Sequence, residues 1–156
     1  YLGEGLRNNI NVASIARPYM YKLCETIDES IHLAALSNRM VYIIDQVLSK
    51  KEYKLSARIG MTESWHCSSV GKCILSYKSA SYLEENGYAI DNEERTPGVC
   101  CIAVPIFDYH GNVNHCIGIS APKEQFTEAA IKNYVRHMQK YGTKISRELG
   151  YGFNRR

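Results

Sequence analysis

Six cysteines, at positions 24, 67, 73, 100, 101 and 116, and a histidine at 66 are the residues of this chain with the most reactive side chains. A thiolate beside an imidazole is a nucleophile or a redox centre. Cys73, Cys100 and Cys101 are the thiols open to pairing with His66. The same groups, with Cys67 and Asp91, are soft and borderline ligands for zinc or iron. Neither reading has a spacing signature, because no C-x-x-C and no H-x-x-x-H occurs, so no zinc knot is expected. Free cysteine is by default a small buried apolar group. Without a secretory signal, a disulfide framework is not expected either.

Two further arrangements point to binding. Ser68 or Ser69 can cap a short helix running to Tyr77, with Val70, Cys73, Ile74 and Tyr77 as its apolar stripe. The first amides of such a helix, at Ser69, Val70 and Gly71, point outward without partners and suit an anion. Gly71 costs helix stability, which a close approach of backbone or ligand would explain. The second arrangement is the stretch 98–122, GVCCIAVPIFDYHGNVNHCIGISAP. Cys101, Ala103, Pro105 and Phe107 alternate with Ile102, Val104 and Ile106, and both sets are apolar or small, as in a strand covered on both faces. Gly111 supplies the positive φ of a tight turn, and residues 113–120 return antiparallel. Cys101 and the small segment Gly118-Ile119-Ser120 are thereby brought near each other.

The elements that hold these groups follow from periodicity. Residues 1–10 read as a linker or the frayed end of a helix. With Asn11 as its cap, an amphipathic helix carries Tyr19, Leu23 and Ile27 on one stripe with Ala16, Met20 and Cys24 beside it. Pro18 must kink this helix or sit in its first turn. Three strands are predicted at 30–37, 40–47 and 53–59, with His32 facing outward on the sheet surface. A loop at 61–66, the helix at 67–77, a short helix at 78–86 and a strand at 88–91 lead through a polar turn into the central hairpin. His110 and His115 flank its turn and are expected to face solvent. Thr127 caps a last helix whose stripe is Ile131, Tyr134, Val135, Met138, Tyr141, Ile145 and Leu149, with His137 on its polar side. Helices segregated around an antiparallel sheet make an α+β domain.

At 156 residues the chain suits one domain with a sizeable core. A net charge of +3, with Arg155-Arg156 as the one local basic excess, is too small to mark a nucleic-acid surface. No apolar run approaches the roughly 20 residues of a membrane span, and a cytoplasmic location is expected.

Four segments resemble the effector-binding domain of the IclR family of bacterial transcription regulators, nearly end to end. They are Ile15-Ala16-Arg17-Pro18 in the first helix, Gly60 with His66 and Gly71-Lys72, the segment GYAIDNEE at 87–94, and the hairpin from Gly98 to Asp108 with Ile119 to Pro122. Each is weak alone, and their order is specific. The resemblance implies a GAF- or PAS-like fold, a curved antiparallel sheet with helices packed on one face and a small-molecule pocket on the other. Residues 11–150 would form the effector-binding domain and residues 151–156 a basic tail. A winged helix-turn-helix domain, absent from this chain, would precede it and bind DNA, and the domains would associate as a homodimer or homotetramer. No enzymatic activity and no cofactor are expected.

Pocket residues carry over one by one. The helix end at Ser69, Val70 and Gly71 would hold a ligand carboxylate or carbonyl. Asp91 matches the acidic residue after the "GYA" strand, Cys101 the cysteine at the start of the hairpin, and Ser120 the second serine of the family's "SxSGP". Gly118 stands in place of the first serine and Ala121 in place of the glycine. Trp65 and Glu63 would lie on the pocket rim, with Ser64 replacing the usual proline. Between Gly71-Lys72 and Gly87 the chain has about a dozen residues where the family has a few tens. The expected function is sensing of a small organic acid. A redox or metal-binding GAF-like domain, with His66, Cys73 and Cys101 as candidate ligands, is the alternative.

Overall fold

The computed structural model describes residues 2–38, 40–52, 55, 59–60, 62–64, 71, 86–94 and 96–152. Helix α1 (Leu2–Ile27) starts upstream of the Asn11 cap, so the segment 2–10 is helical and continuous with the amphipathic part. Pro18 lies inside it, where its missing N–H removes one helix hydrogen bond. Strands β1 (Ile31–Ser37) and β2 (Met40–Val47) follow as predicted. The predicted strand at 53–59 falls largely outside the described residues. A short strand, β3 (Thr62–Ser64), pairs with β2 where a loop was expected. The predicted helices at 67–77 and 78–86 also lie outside the description, except Gly71, which is helical and buried, and Asn86.

Strands β4 (Ala89–Asn92), β5 (Val99–Phe107) and β6 (Val113–Pro122) complete one six-stranded sheet of order β3-β2-β1-β6-β5-β4, antiparallel throughout. The β5–β6 hairpin is central because β1 returns to the free side of β6. Its turn is built by Asp108, whose Oδ1 accepts from the amides of His110 and Asn112, each at 2.9 Å, with Gly111 at φ +81°. Helix α2 (Glu128–Glu148) begins at Thr127, whose side chain accepts from the Ala130 amide.

Both helices cover the same face of the sheet. Val12, Ala16, Met20, Leu23 and Ile27 of α1 and Tyr134, Met138, Tyr141 and Ile145 of α2 close over Ile31, Leu33, Ile102, Val104, Ile106, Ile117 and Ile119. The Ala-Arg-Pro motif acquires a physical meaning here. Ala16 is fully buried, and the Arg17 guanidinium donates to both Asp45 carboxylate oxygens on β2, at 2.5 and 2.7 Å, fixing the helix across the sheet. On α2, Ser146 donates to the Gly142 carbonyl and accepts from the Phe107 amide, which ties the helix to the end of β5. The other sheet face carries smaller buried side chains: Ala34, Val41, Ile43, Ala89, Ala103, Val113 and Cys116.

Candidate functional site

Residues directly opposite each other in antiparallel strands project to the same face. The register therefore aligns two rows across the face opposite α1 and α2. Asp91 on β4 pairs with Cys101 on β5, and Cys101 pairs with Ser120 on β6. Two positions along, Ala89 pairs with Ala103, Ala103 with Gly118, and Gly118 with His32 on β1. The first row is polar, and Ala89, Ala103 and Gly118 of the second are small and buried, so together they form a buried floor edged by hydrogen-bonding groups. With strands about 4.8 Å apart, three strands span about 10 Å, the length of a small organic molecule.

The polar row is built tightly. The Cys101 thiol and Ser120 hydroxyl are 3.1 Å apart, and either atom can donate. Asp91 is 1% exposed, so its carboxylate is not a solvated turn group. Its Oδ1 accepts from the Glu94 amide at 2.8 Å, so the side chain folds the turn that ends β4 as well as facing the floor. The next residues lock this corner. Glu93, at φ +60°, accepts from the Gly98 amide at 2.9 Å and from Lys123 Nζ at 2.6 Å. The hydrogen bond from Lys123, and then that from Gly98, holds the Glu93 carboxyl below its ordinary pKa.

Of the site residues named from the sequence, Asp91, Cys101, Gly118 and Ser120 are thus brought together. Gly71 is helical and buried, and Glu63 lies in β3 at the opposite edge of the sheet. Ser69, Val70 and Trp65, with the candidate ligands His66 and Cys73, lie outside the described residues.

Two histidines depart from expectation. His32 does project from the face opposite the helices, yet it is only 9% exposed and lies across from Gly118. The alternation in β1 placed its face correctly and gave no sign of its burial. His115 is not solvent-facing. It sits on the helix side of β6, 5% exposed, with Nε2 2.8 Å from Asn9 Oδ1 of α1. Burial pushes its pKa down to about 4, against a small opposing effect of Asp108. The register shift between Ile106 and Phe107 lies beside the turn, where alternation alone misplaces a side chain.

Cys100 and Cys101, adjacent in sequence, point to opposite faces of β5. The Cys100 thiol donates to Asn92 Oδ1 at 3.3 Å, and burial raises its pKa, as it does for Cys24. A reactive thiol requires the reverse shift. Among the described residues no group of three or more His, Cys, Asp or Glu side chains is placed to hold a metal ion.

The family described as "Bacterial transcriptional regulator IclR C-terminal" matches residues 6–86 and 83–147. The two matched segments overlap at residues 83–86. Among curated proteins, the HTH-type transcriptional regulator KdgR of Escherichia coli is 27% identical over 180 aligned positions, covering 96% of this chain and 68% of that protein. The alignment is longer than the chain's 156 residues, so it contains gaps in this chain. The KdgR of Dickeya chrysanthemi is also 27% identical, and there the chain spans 59% of the relative's length. Of solved structures, the Thermotoga maritima IclR superimposes with a TM-score of 0.81 at 26% identity, covering 90% of this chain and 69% of that one. The C-terminal domain of Escherichia coli KdgR gives 0.77 at 28% identity, covering 90% and 99%. These matches are to transcription regulators and not to enzymes. With the family match running through most of its length, the chain belongs to the IclR family of bacterial transcriptional regulators and comprises the C-terminal domain.

Proposed function

We propose that this domain senses a small oxygen-bearing organic acid on the sheet face opposite α1 and α2, and that occupancy alters DNA binding by a domain preceding it in the full protein. The observation that carries this reading is the row Asp91, Cys101 and Ser120, aligned by strand register beside the small floor Ala89, Ala103 and Gly118. A few convergent polar groups over an apolar floor are the usual make-up of a small-molecule site. Asp91 accepts from a ligand hydroxyl, and Cys101 and Ser120 supply short contacts. The family resemblance gives the anionic group to the amides at Ser69, Val70 and Gly71 and the rim to Trp65, while Glu63, on β3, stands apart from this row. No resident metal or cofactor enters this reading, and elemental analysis of protein purified without added metal tests that.

Signalling requires that the ligand bind two arrangements of the assembly unequally. Association as a homodimer or homotetramer supplies those arrangements. Leu6 and Ile10 on the first turns of α1, 63% and 61% exposed, are apolar surface available for it. The protein acts in the cytoplasm, where its DNA lies. Among the described residues no helix is long and apolar enough to cross a membrane.

A thermal-shift screen of small aliphatic, aromatic and sugar acids tests the reading. A binder raises the melting temperature with concentration by mass action. A flat response across all three classes overturns it.

A further inference from the structure

Between Glu128 and Glu148, α2 carries Lys132, Arg136, Lys140, Lys144 and Arg147 and no acid. All five are exposed. The first four recur every fourth residue, so they form one slanting stripe about 18 Å long on the side of the helix turned away from the sheet. Tyr134, Met138, Tyr141 and Ile145 face the core and leave that side to solvent. Lys132 has a carboxylate partner, Glu128 at 3.1 Å. Glu148 accepts from the Tyr19 hydroxyl of α1 and forms no ion pair with Lys144, four residues before it.

The neighbouring helix adds to the stripe. Tyr19 of α1 and Tyr141 of α2 pack with ring centres 6.3 Å apart, Lys22 lies 5.7 Å from the first ring centre, and Lys140 and Lys144 each lie 5.5 Å from the second. Three ammonium groups thereby gather at one seam between the helices. Lys22, Lys140 and Lys144 form no ion pair among the described residues, and the exposed Glu25 is the acid nearest to Lys22 along α1. Burial, and then the charges of Arg136 and Lys140, lower the His137 pKa, as a positive field around α2 requires. The net charge of +3 hides this surface, because acids elsewhere in the chain offset it while none falls inside the stripe.

What such a surface can hold is limited by what it lacks. Among the described residues, none of the large apolar side chains that are exposed lies on α2, so the stripe has no anchor for a protein partner or a bilayer. Lysine is depleted at protein interfaces, whereas lysine and arginine supply the contacts that proteins make to nucleic-acid phosphates. A duplex carries one charge per about 1.7 Å of axis, dense enough to engage every cation of the stripe.

We propose that the outer face of α2, joined by Lys22 of α1, is a contact surface for the phosphate backbone of duplex DNA, adding sequence-independent affinity to the reading done by the domain proposed to precede it. It lies on the helix-covered side of the sheet and is independent of the effector site on the other face.

The test is fluorescence anisotropy of a labelled duplex of about 20 base pairs and arbitrary sequence, titrated with this 156-residue chain between 50 and 200 mM salt. Wild type is compared with K140Q/K144Q and with R7Q/K50Q, a control of equal charge change. Glutamine preserves helix propensity, and Arg7 and Lys50 are exposed residues outside α2 and its seam with α1. Four cations without a carboxylate, Lys22, Arg136, Lys140 and Lys144, give an expected slope of log affinity against log salt of about −3.6. K140Q/K144Q should bring that slope to about −1.8 and weaken binding at 50 mM salt about tenfold, while R7Q/K50Q leaves both unchanged. Wild type that does not bind the duplex at 50 mM salt overturns the proposal. So does a control that loses as much as the stripe variant, since net charge and not the stripe would then be responsible. Vesicles with about one-third phosphatidylglycerol and poly-L-glutamate, offered at the same charge concentration, fix the partner. Either one binding as tightly as the duplex overturns the assignment to DNA, in favour of a bilayer or an acidic protein. If K140Q/K144Q melts below wild type, K140R/K144R, which keeps the charge, carries the decision: it must bind like wild type, and weakened binding there overturns the proposal.

Discussion

The Cys101 thiol and the Ser120 hydroxyl lie 3.1 Å apart on directly paired positions of β5 and β6, both half-buried on the face opposite the helices. A thiol is a weak hydrogen-bonding group, so the contact contributes little to the fold. Its removal by S120A is expected to cost less than about 1 kcal/mol of stability. For an organic acid identified by the screen, the same change should weaken binding about tenfold. Urea unfolding and calorimetry on one preparation check both, and undiminished affinity removes Ser120 from the site.

Asp91 does two things, and two substitutions separate them. Its Oδ1 accepts from the Glu94 amide, while its burial at 1% exposure places it against the floor. D91N keeps an oxygen for the amide and loses the charge, so it should fold like wild type and bind a hydroxylated acid more weakly. D91A loses the turn contact too, and about 1 kcal/mol of stability with it. A D91N variant with wild-type affinity would assign the carboxylate to the turn alone.

The redox alternative makes its own prediction. Burial raises the pKa of Cys24 and Cys100, so iodoacetamide labelling at these thiols should begin only above the ordinary cysteine range near pH 8.5. Modification of either at neutral pH, located by mass spectrometry, would revive a reactive-thiol function.

At Gly142 the α2 backbone lies close against the sheet. A Cβ there would meet Val104 Cγ2 at 3.2 Å and the Pro105 carbonyl oxygen at 3.3 Å. Both contacts are tighter than an ordinary Cβ makes, so a side chain here requires strand or helix to shift by a few tenths of an ångström, and packing favours the glycine even though it weakens the helix by about 1 kcal/mol. G142V, which adds two methyl groups against β5, should destabilise by roughly 2–3 kcal/mol. A change in urea midpoint smaller than that of S120A would show that the helix can move away.

Most of this architecture is written in local pattern. The stripes of α1 and α2, the Thr127 cap, the Gly111 turn and the strands at β1, β2, β4, β5 and β6 follow from periodicity and turn chemistry, because each is fixed by residues close in sequence. The pairing of β1 with β6 is not local, since the strands lie some eighty residues apart. Nothing near His32 could announce that it faces Gly118, or near His115 that Asn9 of α1 would cover it. The Asp91, Cys101 and Ser120 set was reached through family resemblance, and strand register is what aligns it.

His115 offers a measurement on the whole fold. Its pKa falls from an ordinary 6.5 to about 4 because burial penalises the charged ring. The unfolded chain therefore binds a proton between these values that the native state refuses, and stability must drop as pH falls through that window. The loss by pH 4 is on the order of 2–3 kcal/mol. H115Q keeps a hydrogen-bonding group within reach of Asn9 and cannot titrate. Comparing urea midpoints at pH 7 and pH 4.5, wild type should lose clearly more stability than H115Q, whose remaining acid sensitivity comes from the carboxylates common to both. Equal losses would mean that the protonated ring is accommodated by opening the contact between β6 and the first turns of α1.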